Sequence, residues 1–119
     1  MNVAVIGASD KSDRFSYQAV MLLKEKGHAV YPVHQRIEAI EGMKVYKTII
    51  NIPDSIDTVT LYVAADISSS LANDILSTHP KRIIFNPGAE NVELEALAEA
   101  KGIECVNGCT LVMLRNQQF

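Results

Sequence analysis

The chain predicts an α/β fold: a single Rossmann-like doubly wound domain whose five-stranded parallel sheet carries helices on both faces. Three observations predict it. Val3 to Ile6 is a continuous apolar run, the pattern of a strand buried on both faces, and it stops on Gly7. Strand-like and helix-like segments then alternate to the end of the chain. Right-handed crossovers between parallel strands distribute the helices over both faces. The natural strand order is 3-2-1-4-5. At 119 residues and 13.1 kDa, residues 1–119 read as one domain with one core.

After the first strand, a helix is predicted over Ser16 to Lys26. Ala19, Val20, Leu22 and Leu23 fall on one stripe, and Gly27 sits where a C′ glycine ends a helix. His28 to Val33 is the second strand. Gln35 to Pro53 is less regular: a short helical turn around Ile37 to Glu41, a break at Gly42, a minor strand over Met43 to Tyr46, and a turn at Pro53-Asp54. Thr58 to Val63 is the third strand. Asp66 is a candidate cap for a helix carrying Ile67, Leu71 and Ile75 at i, i+4, i+8. Arg82 to Phe85 is the fourth strand, closed by Asn86-Pro87-Gly88. Asn91 is a cap for the last long helix, Glu93 and Glu95 suit its positive end, and Gly102 stops it. Ile103 to Val106 is the fifth strand. Leu111, Val112 and Leu114 suggest a short tail helix folding back.

Composition narrows the function. The net charge of −3 argues against a nucleic-acid duplex as partner, because neutralising phosphates needs a basic face. Hydrophobic residues are 48 % of the chain, yet no apolar run approaches the roughly 20 residues of a membrane span. No signal segment precedes the first strand, so a cytoplasmic location is expected. Cys105 and Cys109 make neither a disulfide framework nor half a zinc site. They read as a buried thiol and a small tail residue, and Cys109 is not expected to react with a ligand thiol. The expected partner is a small-molecule nucleotide rather than nucleic acid or membrane. Nothing in the residues speaks for or against a protein partner or a homo-oligomer.

In such a fold the ligand cleft lies beyond the carboxyl ends of the strands, where the strand order reverses. Gly7 lets the backbone leave the first strand sharply and lets a ligand approach without a Cβ in the way. Ala8 and Ser9 are expected to expose backbone N–H groups. Ser16 and Tyr17 lie where the first helix begins, so free amides and the positive dipole end face the cleft. Arg14, just before that helix, either pairs with a phosphate or is a solvated charge. Pro32, lacking a donor, cannot extend the ladder, which leaves the backbone of Pro32 and Val33 to line the cleft. His34 and Arg36 follow. A guanidinium matches a ribose phosphate bidentately; the alternative is a solvated loop charge. An NAD site wants three glycines in the first turn and an acid after the second strand. This chain has one glycine there, and His34, Gln35 and Arg36 in place of the acid.

Catalytic signatures are sparse. His28 and His79 have no partner acid or nucleophile at motif spacing, and no triad forms around Ser9. Glu90 reads either as an acid or base entering the cleft or as a helix-entry carboxylate.

With these residues in view, the chain resembles the small single-domain CoA-binding proteins and is similar to the N-terminal CoA-binding domain of the succinyl-CoA synthetase α subunit. The likeness is carried by Val5-Ile6-Gly7-Ala8-Ser9, Arg14-Phe15-Ser16-Tyr17, Gly27 to His34, Gly42 to Tyr46, Ile52 to Asp57, and Gly102 to Cys109. It implies that Gly7, Ala8, Ser9, Arg14 and Ser16 hold the CoA pyrophosphate. It implies that Pro32, Val33, His34 and Arg36 flank the adenosine, with Arg36 where the family has lysine after a Val-Asn-Pro run. His34-Gln35 replaces Asn-Pro, Phe15 stands where proline is common, and Gly108 replaces a common arginine. The synthetases carry their phosphorylated histidine and ATP site on other domains, so the resemblance favours binding of CoA or an acyl-CoA without catalysis. Two other readings stay open: a small NADP-dependent oxidoreductase-like protein, with Arg36 on the 2′-phosphate, and a ligand-free interaction module of the same fold.

Overall fold

A computed structural model describes residues 1–119. The main sheet has five parallel strands: β1 (Asn2–Ile6), β2 (Ala29–Val33), β5 (Thr58–Leu61), β6 (Arg82–Phe85) and β7 (Glu104–Asn107). A small antiparallel pair, β3 (Ala39–Ile40) and β4 (Met43–Lys44), replaces the helical turn expected over Ile37 to Glu41. The helices are α1 (Phe15–Glu25), α2 (Ala65–Ser70), α3 (Ala72–Ser77), α4 (Val92–Ala100) and α5 (Thr110–Arg115), with one 3₁₀ turn over Ile49–Asn51. No helix is long and apolar enough to cross a membrane.

The α/β class and the parallel sheet are as the sequence predicts; the strand order is not. The sheet runs β2-β1-β5-β6-β7, so its five strands in chain order stand 2-1-3-4-5 rather than 3-2-1-4-5. The third strand pairs with the far side of the first, Val3 to Ile6 against Thr58 to Leu61. Pro32 supplies a physical reason. It stands in β2 opposite Val5 and has no N–H to give an outer neighbour, so β2 suits an edge. That edge takes only a single parallel bridge from Tyr46. Tyr46 donates its N–H to the Pro32 carbonyl and accepts from the His34 N–H, both at 2.9 Å.

Alternation along β1 builds both halves of the core. Ala4 and Ile6 join Ile75, Leu76, Leu94 and Ala98 beneath α2 to α4, whereas Val3 and Val5 join Val20, Leu23 and Leu114 beneath α1 and α5. Each buried Val, Leu or Ile among them is worth about 1.5–3 kcal/mol. The expected single helix through Ile67, Leu71 and Ile75 is broken at Leu71, which separates α2 from α3 at φ −99°, ψ 0°. Ile75 is buried and Ile67 is exposed. Asp66 lies in the first turn of α2 without capping it; the cap position is Ala64.

Two asparagines tie the later elements together. Asn86 donates through Nδ2 to Thr60 Oγ1 at 2.7 Å and to the Leu61 carbonyl at 2.8 Å. Its Oδ1 accepts from the Thr110 amide at 2.8 Å, joining β5 and β6 to the start of α5. Asn91 caps α4 by accepting from the Leu94 amide at 3.0 Å, as its position predicts. Its Nδ2 reaches the Ala65 carbonyl, Ser68 Oγ and Ser69 Oγ, which fixes α2 against α4.

Candidate functional site

The chain leaves β1 toward β2 on one side and later places β5 on the other, so the reversal of direction falls at the carboxyl ends of β1 and β5. A cleft of about 500 Å³ opens beyond the carboxyl ends of β2, β1 and β5, where such folds hold ligands. Its floor is Ile6, Gly7 and Val33. One wall is the segment after β2 with Lys47, Thr48 and Ile49; the other is Val63 with Ile67, Ser70, Leu71 and Asp74. The cleft is thus apolar at its base with charged groups on both walls.

Gly7 is required by its surroundings. Its φ is +86°, and a Cβ there would stand 2.8 Å from Val63 Cγ1 and 3.2 Å from the Tyr62 backbone. The turn after it differs from expectation in one respect. The amides of Gly7 and Ala8 both donate to the Val33 carbonyl, at 3.2 and 3.3 Å. Ala8 is buried, so its N–H is consumed inside the protein rather than offered outward. The Ser9 amide has no acceptor in the protein, and its Oγ accepts from the Lys11 amide at 3.1 Å, closing a small turn.

α1 begins without a cap. Arg14 occupies the cap position in extended conformation with no side-chain hydrogen bond, and no acid lies in the first turn. The first intrahelical bond runs from Gln18 to the Arg14 carbonyl, so the amides of Phe15, Ser16 and Tyr17 have no acceptor in the protein. Arg14 is exposed and Ser16 is buried. Ala8, Ser9, Arg14 and Ser16 lie outside the lining of the cleft.

The lip after β2 is built by His34. Its Nδ1 accepts from the amides of Arg36 at 3.0 Å and Ile37 at 3.2 Å. An imidazole nitrogen that accepts carries no proton, so a neutral ring bears its hydrogen on Nε2. This is the turn that an asparagine side chain makes when it bonds amides two residues on. His34 therefore closes this turn through its side chain, next to Arg36. Val33, His34 and Arg36 all line the cleft. Pro32 does not: it is buried in the sheet, and its carbonyl is taken by Tyr46.

Of the nine residues singled out in the sequence, Gly7, Val33, His34 and Arg36 meet in the cleft. The reading missed Lys47, Thr48 and Asp74. Nothing local marks them, because the Val33–Tyr46 bridge and the packing of α3 bring them there. Ile67 and Leu71 carried a signal in their helical spacing, although the break at Leu71 turns the former to the cleft. Glu90 is spent locally, accepting from the Gly88 amide at 2.9 Å, and is absent from the cleft. Cys105 is half-buried; burial and the nearby Glu99, Glu95 and Glu104 push its thiol up to about 11, so it stays protonated near neutrality.

Comparison with known proteins shows the family of the fold. A family model described as "CoA binding domain" matches residues 1–115. The chain is 40 % identical over 62 residues to the α subunit of ADP-forming acetate–CoA ligase II of Pyrococcus furiosus, a match covering 51 % of this chain and 14 % of the subunit. It is 26 % identical over 100 residues to the uncharacterized protein YneT of Bacillus subtilis, covering 84 % of this chain and 74 % of YneT. A crystal structure of an uncharacterized protein superimposes with a TM-score of 0.89 at 41 % identity, over 99 % of this chain and 97 % of the other. The chain belongs to the CoA-binding domain family that this model describes.

Proposed function

We propose that this chain binds CoA or an acyl-CoA as its nucleotide ligand and has no catalysis of its own. The adenosine end occupies the cleft between the Val33–Arg36 lip and the wall formed by α2 and α3. The diphosphate meets the free amides of Ser9 and of Phe15 to Tyr17, with Arg14 alongside. The single observation that carries this reading is the start of α1: three amides without acceptors, no cap and no acid, in the element that follows the cleft's own glycine. Such a helix end attracts a phosphate through its N–H groups and its dipole. Membership of the CoA-binding family and the likeness to an acetate–CoA ligase subunit support CoA over other nucleotides. We place the chain in the cytoplasm on the same grounds.

A ligand that binds only the folded state raises the melting temperature by mass action, by about 2.7 kcal/mol of added stability at a hundredfold excess over Kd. Thermal shift and calorimetry with CoA, acetyl-CoA, dephospho-CoA, NAD and NADP test the proposal. Stabilisation by CoA or acetyl-CoA above the dinucleotides is the expected outcome. Preference for NADP would assign the cleft to a nicotinamide dinucleotide. No response from ligand-stripped protein would mean that the fold serves as an interaction module.

A further inference from the structure

Deepening the reading of the cleft as a nucleotide site, we propose that Lys47 is the second arm of a two-cation clamp, with Arg36, for a phosphate monoester on the ligand's ribose. Arg36 and Lys47 are eleven positions apart in sequence yet line one cleft. Backbone hydrogen bonds anchor both positions to the end of β2. The Val33–Tyr46 bridge, with its two 2.9 Å hydrogen bonds, fastens the residue before Lys47 to the end of β2. On the other side, His34 Nδ1 holds the Arg36 amide at 3.0 Å. Both cations therefore project from backbone that is hydrogen-bonded to the same strand end.

Both are also uncommitted. The protein's one ion pair, Lys81 with Asp57 at 3.6 Å, lies at the opposite end of the sheet. The neighbouring Lys44 is occupied, its Nζ 5.0 Å from the centre of the Tyr46 ring, and it does not line the cleft. The carboxylate in the cleft, Asp74, comes from α3 on the facing wall and pairs with neither cation. Charge is thus divided across the cleft, with two cations on one wall and one anion on the other. A phosphate monoester carries about −1.5 to −2 charges near neutrality, more than one guanidinium neutralises. Arg36 supplies a planar fork and Lys47 a mobile point charge, a pairing suited to a phosphate rather than to a bare ribose.

The same chemistry is found in the 3′-phosphate of CoA and the 2′-phosphate of NADP. Calorimetry with the pairs CoA/dephospho-CoA and NADP/NAD, on the wild type and on Lys47→Ala, Lys47→Arg, Arg36→Ala and the double alanine variant, separates them. Within the pair the wild type prefers, Lys47→Ala is expected to shrink the preference for the phosphorylated member by about three- to fivefold, the upper end for one exposed charged contact. The affinity for the unphosphorylated member should stay within about twofold. Lys47→Arg should retain the preference, and the double variant should abolish it. An unchanged preference in Lys47→Ala would overturn the clamp, as would equal weakening of both members. Wild-type binding of both members of a pair with no preference would overturn the clamp and leave the nucleotide reading standing. No binding of any of the four by ligand-stripped wild type would overturn that reading first and the clamp with it. Lys47 is exposed, so the variants are expected to melt with the wild type, which thermal denaturation checks.

Discussion

α1 and α4 each run between strands of one parallel sheet, yet their first turns are finished in opposite ways. α4 is closed by the protein itself: Asn91 accepts from the Leu94 amide at 3.0 Å, and Glu93 and Glu95 sit in the positive first turn. Asn91 also binds α2 through three contacts, so this end belongs to the scaffold. α1 has neither cap nor acid, and Phe15, 70 % exposed, stands at its first position. An open helix end costs stability, typically about 1 kcal/mol for a missing cap. The comparison teaches where the two ends differ: at α4 the Leu94 amide is capped and acids stand in the first turn, whereas α1 has neither cap nor acid, which is why we propose the diphosphate there.

The largest effect is expected where the turn into α1 is broken. Gly7→Val places a β-branched side chain at φ +86°, against Val63 and the Tyr62 backbone. It should destabilise the fold by about 3 kcal/mol in chemical denaturation, combining left-handed strain with overpacking, and remove CoA binding. Next comes the closed end. Asn91→Ala should cost about 2 kcal/mol, from the lost cap and from buried groups left unpaired, while affinity for CoA at saturating stability stays unchanged. Asn91→Asp keeps the capping oxygen but loses the amide nitrogen that donates to α2, so it separates the cap from the bridge.

Phe15→Glu would make the start of α1 resemble that of α4. The acid should stabilise the helix by roughly 0.3–1 kcal/mol and weaken CoA about tenfold by opposing its phosphates, near 1.4 kcal/mol. Opposite signs in melting temperature and affinity are the signature; a variant that both melts higher and binds CoA as tightly would remove the functional meaning of the open end.

The smallest effect concerns neither terminus and serves as a control. His28 lies at the far end of the sheet, where burial, the Met1 amino group 3.3 Å away and Arg82 lower its pKa. A histidine whose folded pKa is lowered favours the neutral ring. Its contribution is fully present above the ordinary value of about 6.5 and fades as pH falls from there through the lowered folded value. The melting temperature should therefore decline on mild acidification, and His28→Gln should flatten that decline. An unaltered slope in the variant would assign the acid sensitivity elsewhere.

The fold was legible where local physics decides it. The apolar run at Val3 to Ile6, the glycine after α1 and the asparagine before α4 each act within a few residues, and all three appear as read. The strand order is written in Pro32, whose missing N–H suits an edge strand, yet the order follows only when that missing donor is weighed across the whole sheet. In the candidate site, Gly7, Val33, His34 and Arg36 are adjacent to strand ends and could be found by position. Lys47 and Asp74 could not, because a bridge to β2 and the packing of α3 deliver them. Ala8 and Pro32 went the other way: each has the backbone position of a site residue, but Val33 and Tyr46 already take its polar group.

The central claim concerns the amides at the start of α1, and it is tested most directly by following backbone amide resonances while CoA is titrated in. The expected result is saturable movement of Ser9, Phe15, Ser16 and Tyr17, with Leu94 at the closed start of α4 unmoved. Saturable binding of CoA that shifts other amides and leaves those four in place would contradict it.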